Sequence, residues 1–382
     1  MRSHRLHILV VVATTLSIGL IAAVSSGATA RSPQRANTAC NPAAVVAHWT
    51  PARLAATLLV APVDQRELAA GDGVVAEGVG GLLLYGTPPS GLGSALKALV
   101  GFAPKGTTPL VMTDEEGGAV QRLLPIIANL PAARTLGARE SPAAIRAGAF
   151  ALARQMRSLG VTMDLAPVAD VDGGVGPNAT NADGTRSFSA DPVTVSNDAL
   201  AFAKGLAAGG VIPVVKHFPG LGGASANTDL AVAHTLPWAQ LQRQGIPPFV
   251  AAIAAHLPVV MVSNATVPGL TSLPASLSSQ VMTTELRNRL HFTGVIMTDS
   301  LSAIAISGAH FSLAAATVAA LRAGADSVLF SAEADTLGAT TRSLIAAITT
   351  AVTTRVLTLA GLRSDAARVV GLSLPTSCRV AN

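Results

Sequence analysis

An alternation along the chain constrains its fold more than any other feature. Eight short apolar runs, at 58–63, 81–85, 110–113, 162–165, 211–215, 259–262, 295–297 and 327–330, alternate with longer alanine-rich stretches. Those stretches have helical character, clearest at 141–159, 192–208, 279–290 and 314–323. Continuous rather than alternating hydrophobicity predicts strands covered on both faces, as in a parallel sheet. Strand and helix in turn, through eight strands, predict an α/β fold closed into a single-domain (β/α)8 TIM-type barrel. A doubly wound open sheet is the other arrangement that the pattern allows. Half of the 382 residues are hydrophobic, enough to fill such a core, and no linker-like stretch divides 41–376.

The two ends read differently. Arg2 and Arg5, an apolar stretch at 7–24 and Ala28-Thr29-Ala30 have the layout of a secretory leader, cut after Ala30. Residues 31–52 then form an N-terminal extension, 53–376 the barrel and 377–382 a tail. Cys40 does not directly follow the apolar stretch, which argues against a bacterial lipoprotein. An exported chain with two cysteines, Cys40 and Cys378, is expected to bridge them and tie its termini together; two unpaired buried thiols are the other reading.

Without the leader's two arginines the formal charge falls from +5 to +3. No run of Lys or Arg is present, so nucleic acid is excluded as a partner on these grounds. A mildly basic exported chain suits anionic cell-wall material. No HExxH, CxxC or GxxxxGK[ST] occurs, so neither zinc nor nucleotide has its usual signal, and no cofactor is expected.

Only 12% of the residues are charged, yet the predicted strands end in polar residues. The third is followed by Asp114-Glu115-Glu116, the fourth by Asp170 and a loop to Arg186, and the fifth by Lys216-His217. Ser263-Asn264 follows the sixth and Asp299-Ser300 the seventh. In a barrel these positions converge on the C-terminal mouth, which favours an enzyme.

Each residue has more than one reading. Asp299 either attacks or stabilises a positive centre, or caps a helix. Asp114 sits beside Glu115 and Glu116, acids that could pair with a nearby arginine. Arg186 is a solvated loop charge or a fork for hydroxyls and carboxylates. Lys216 is a Schiff-base lysine or, with His217, a donor to substrate hydroxyls.

Six segments in one order, VMTDEEGGAVQRL, MDLAPVADV, GTRSF, VVKHFPGLG, LPASLSSQVMTTELRNRLHFTGVIMTDSL and AGADSVLF, resemble glycoside hydrolase family 3. They are most similar to its single-domain, NagZ-like β-N-acetylhexosaminidases, and the resemblance runs from about residue 54 to about 372. It implies a retaining exo-glycosidase on a (β/α)8 barrel, with Asp299 as nucleophile and a glycosyl-enzyme intermediate. It further implies that Asp114, Arg186, Lys216 and His217 grip the terminal sugar. The expected substrate is a terminal β-linked N-acetylglucosamine, in peptidoglycan fragments, with glucose-type specificity left open.

One stretch departs from the family pattern. Leu221 stands where KHFPGHG has its second His, and Asn227-Thr228-Asp229 stands where an Asp-Ser-His element carries the acid/base. Three readings follow: Asp229 as acid/base, His234 in that role, or a weak or inactive barrel that binds sugar or cell wall. The glycines at 220, 222 and 223 suggest a mobile loop that swings residue 229 over the glycosidic oxygen.

Overall fold

The computed structural model describes residues 41–374. The segment read as a leader, the 377–382 tail and both Cys40 and Cys378 lie outside the described residues. Eight parallel strands form one sheet: β1 Leu59–Asp64, β2 Gly81–Tyr85, β3 Leu110–Thr113, β4 Met163–Asp164, β5 Ile212–Phe218, β6 Val259–Val262, β7 Val295–Thr298 and β8 Val328–Leu329. They run in chain order from β1 to β7, and β8 lies beside β1, with Leu59 opposite Val328. A parallel bridge between Met297 and Ser327 joins β7 to the start of β8, reinforced by Thr298 N–H on Ser327 O at 3.0 Å. The sheet thereby closes into the (β/α)8 barrel.

Helices wrap the barrel, and their starts are written in the sequence. Ser141 accepts from Ala144 N–H at 3.3 Å and Asp191 from Thr194 N–H at 2.9 Å. Each is followed by a proline whose missing N–H is no loss in a first turn. Along Pro142–Ser158 the buried residues are Ile145, Ala149, Leu152, Ala153 and Met156, a stripe at helical spacing. Gly205 in Pro192–Ala208 lets this neighbour approach closely, since a Cβ there would lie 2.4 Å from Arg146 O. Among the described residues no helix is long and apolar enough to cross a membrane.

Several elements differ from the expectation. β5 continues to Phe218, so Lys216 and His217 lie within a strand rather than after one, and its register against β6 shifts between Val215 and Phe218. The Lys216–His217 and Phe218–Pro219 peptides are cis. β4 is shorter than 162–165. Its pairing still continues through Leu165 N–H on Thr113 O at 2.8 Å and Val214 N–H on Ala166 O at 3.0 Å. A small antiparallel hairpin, Glu115–Gly117 with Val120–Gln121, was not expected. The helix foreseen at 279–290 is a π-helical segment, Gln280–Arg289. Upstream of residue 53, the short helix Pro42–Val46 packs on the barrel, with Val46 buried in the common core.

Just before β8, Asp326 is fully buried and accepts from Arg287, from Arg368 Nε at 2.6 Å and from Ile296 N–H at 2.7 Å. It ties β7, the π-helical segment and the last helix, Leu359–Ser373, together. Asp326→Ala is expected to reduce unfolding free energy by about 3–5 kcal/mol in a denaturant titration, because two arginines lose their buried counter-charge. A loss under about 1 kcal/mol would remove Asp326 from this role.

Candidate active site

A cavity of about 570 Å³ opens at the C-terminal ends of the strands. Six predicted site residues line it: Asp114, Arg186, Lys216, His217, Asp229 and Asp299. The seventh, His234, is not among its lining residues. His234 is exposed, pairs along the backbone with Thr266, and sends Nδ1 to Thr235 O at 3.1 Å. A larger groove of about 780 Å³, around Leu277, Phe311 and Val318, has no acid, histidine or lysine in its lining and offers no comparable chemistry.

The floor is an ion cluster built on Glu116, a residue that the sequence marked only as a partner for arginine. Arg186 grips it bidentately, Nε to Oε2 at 2.7 Å and Nη2 to Oε1 at 2.8 Å. Lys216 Nζ lies 2.7 Å from Glu116 Oε1 and 2.7 Å from Asp114 Oδ1. Burial alone would raise the Glu116 carboxyl, but the charges and hydrogen bonds of Arg186 and Lys216 hold it far below the usual carboxylate range. Burial likewise acts to lower Lys216, and Asp114 and Glu116 outweigh it, so its ammonium is held above the ordinary range. A Schiff-base lysine needs the opposite shift, which removes that reading of Lys216. Asp114 is the more open of the pair, at 20% exposure against 2% for Glu116, and faces the cavity with oxygen to spare for a ligand hydroxyl.

Beside this cluster His217 Nδ1 lies 2.6 Å from Asp170 Oδ2. Asp170 also accepts from Leu221 N–H at 2.6 Å and His217 N–H at 3.2 Å. Burial, and then the Arg186 and Lys216 cations, push His217 down to about 4, with Asp299 opposing them. Burial pushes Asp170 up to about 6, against those backbone N–H groups. At neutral pH the imidazole is therefore uncharged and donates Nδ1–H to an ionised Asp170.

Asp299 follows β7, and its N–H continues the ladder on Val262 O at 2.9 Å. Its Oδ1 accepts only from the adjacent Ser300 N–H at 2.7 Å, while the next helix begins at Ile304 behind an Ala303 cap. It caps no helix. Burial raises its carboxyl; His217 and Lys216 pull it down, and Asp229 pushes it up. That mutual influence places Asp229 and Asp299 within electrostatic reach of each other.

Asp229 is exposed on the rim, yet crowding by the cavity wall raises its carboxyl, as does Asp114, while Arg186 and Lys216 counter. Its loop is tied at both sides: Asn227 N–H to Ala179 O at 3.0 Å and Ala305 N–H to Thr228 O at 3.0 Å. Gly222 is a packing position rather than a hinge, because a Cβ there would lie 2.1 Å from Val171 O. The small residues thus let the loop lie flat against the 171 segment. Arg122 also lines the cavity and was missed, as was the full burial of Asp183. Nothing in the spacing of either residue distinguishes it from a loop charge.

A parallel barrel with acids, a neutral histidine and a buried cation pair around one cavity has the layout of a carbohydrate-processing enzyme. Residues 71–372 match the description "Glycosyl hydrolase family 3 N terminal domain", and the chain belongs to glycoside hydrolase family 3. It is 38% identical over 299 residues to the β-hexosaminidase LpqI of Mycobacterium tuberculosis, covering 76% of this chain and 75% of that protein. With a β-hexosaminidase of Xylella fastidiosa it is 36% identical over 228 residues, 58% of this chain and 66% of the other. Among solved structures, a family 3 glycosyl hydrolase from Mycobacterium smegmatis superposes with a TM-score of 0.77 at 32% identity, covering 86% of this chain and 98% of that one. The β-N-acetylhexosaminidase of Beutenbergia cavernae gives 0.75 at 30%, covering 84% and 97%.

The neutral state of His217 is directly measurable. Ring NMR shifts of a histidine-labelled sample should show His217 titrating near 4, well below the ordinary 6.5. Between those values the unfolded chain binds the extra proton and the folded one does not, so His217 makes stability fall as pH drops from 6.5 towards 4. A midpoint at or above 6.5 would contradict the arrangement.

Proposed function

We propose that this protein is a retaining β-N-acetylhexosaminidase that removes a terminal β-linked N-acetylglucosamine through a glycosyl–Asp299 intermediate. The observation that carries the proposal is the meeting of Asp299 and Asp229 in one cavity, above the Glu116–Arg186–Lys216 cluster, in a chain whose relatives are β-hexosaminidases. Asp114, Arg186, Lys216 and His217 hold the sugar hydroxyls. Asp299 attacks the anomeric carbon as the bond to the leaving oxygen breaks, and Asp229 gives that oxygen its proton. Asp229 then takes a proton from water, whose oxygen attacks the same carbon, and Asp299 leaves as carboxylate.

Two carboxylates within electrostatic reach do not both ionise readily, which suits a pair that must hold one proton between them. Ser300 N–H, His217 and Lys216 favour the anion at Asp299. The proton therefore belongs with Asp229 at the exposed rim, where a leaving group meets solvent. Retaining chemistry needs the two carboxyl groups about 5 Å apart.

The leader pattern at 1–30 supports export, and the mild positive charge suits cell-wall fragments as the source of substrate. Leu221 and Asn227-Thr228-Asp229 favour one competing reading, a catalytically silent barrel of the same fold that binds sugar or wall.

Two measurements separate these readings. A 2-deoxy-2-fluoro or 5-fluoro glycosyl donor is expected to leave its label on Asp299 by peptide mass spectrometry; sugar binding with neither label nor turnover selects the silent barrel. Asp229→Ala is expected to lose roughly 10²- to 10⁴-fold on glycosides with poor leaving groups and far less on activated aryl glycosides. Equal losses on both would take the acid/base role from Asp229.

A further inference from the structure

Beneath the sugar-facing surface, Asp170, Asp183 and His217 gather in a buried group. One carboxylate oxygen from each aspartate and one ring nitrogen of His217 all lie within 4.8 Å of one another. Asp183 has no exposed surface, and no N–H or hydroxyl donor reaches either of its carboxylate oxygens; its carboxyl group meets that of Asp170 instead, and burial and Asp170 both raise it. The Arg186 cation comes no nearer to Asp183 Oδ1 than 4.0 Å. Its guanidinium is already engaged by Glu116 and by Ala182 O. Buried carboxylates without partners are rare in folded proteins, since the desolvation they suffer goes uncompensated.

Two acids that meet in this way need either a shared proton or a cation bound directly between them, and Arg186 at 4.0 Å is too far to be that cation. Two bonds of about 2.0–2.2 Å to one ion place their donor atoms up to about 4 Å apart. Small side-chain rotations would therefore close the group around an ion. One imidazole nitrogen with two carboxylate oxygens is a donor set for zinc and its neighbours, whereas magnesium and calcium favour oxygen alone.

We propose that Asp170, Asp183 and His217 form a binding site for a zinc-class divalent cation. The ligands come from three separate segments, which is why no motif of fixed spacing announces them. Three protein donors leave a coordination position open, and His217 is itself part of the cavity wall.

The test uses the untagged protein, stripped with a chelator and dialysed, titrated by calorimetry with zinc chloride and separately with magnesium chloride. One saturable zinc per chain and no magnesium uptake are expected. Asp183→Asn, which keeps the shape and removes the anionic donor, should abolish that uptake while its thermal melt shows a folded protein. Asp183→Ala serves as the second variant. No saturable zinc in the parent, or equal uptake by a folded Asp183→Asn, overturns the proposal. The titration requires no turnover, so it stands or falls independently of the hydrolase reading.

Discussion

Glu116 is the residue on which the mouth of the barrel depends. A carboxylate nearly sealed from water survives as an anion only when cations meet it at hydrogen-bond distance, and here two do so. Arg186 arrives on the long loop after β4 and Lys216 from within β5, so one acid fixes two segments that are 30 residues apart in sequence. Lys216 passes the constraint on to Asp114, and burial, aided by the same cations, keeps His217 neutral. Such a cluster is expensive to assemble and stiff once made, and stiffness is what a site that orients sugar hydroxyls requires.

The proposed chemistry follows from an imbalance between the two sides of the cavity. Cations and a hydrogen-bonded Asp170–His217 pair occupy one side, and Asp299 faces them with a single hydrogen bond from Ser300 N–H. An under-coordinated carboxylate is a better nucleophile than one gripped like Glu116. Asp229 completes the arrangement from a loop that is anchored rather than free. In the proposed reading Asp229, which can carry a proton, stands in for the histidine of the family pattern.

The sequence revealed the barrel because parallel strands are buried on both faces. The runs at 81–85, 110–113 and 259–262 coincide with β2, β3 and β6 to the residue, since nothing polar interrupts them. Reading failed where a strand carries charge. β5 was ended at residue 215 because Lys216 and His217 look like loop residues, although the ion cluster buries both inside the sheet. The hairpin at Glu115–Gly117 was invisible for the same reason: two acids and glycines do not read as strand. Asp114, Arg186, Lys216, His217, Asp229 and Asp299 were legible as candidates through strand ends and family motifs. Asp183 was not, because its character comes from burial beside Asp170 and His217, contacts that no local spacing encodes.

The stereochemistry of the first-formed product tests the central claim most directly. Proton NMR of the anomeric signal, followed from the start of hydrolysis of a β-N-acetylglucosaminide, distinguishes two displacements at the anomeric carbon from one. Attack by Asp299 and then by water predicts that the β anomer appears first and the α anomer only later, by mutarotation. Initial appearance of the α anomer would mean that water attacks directly, and the account of Asp299 as nucleophile would be wrong.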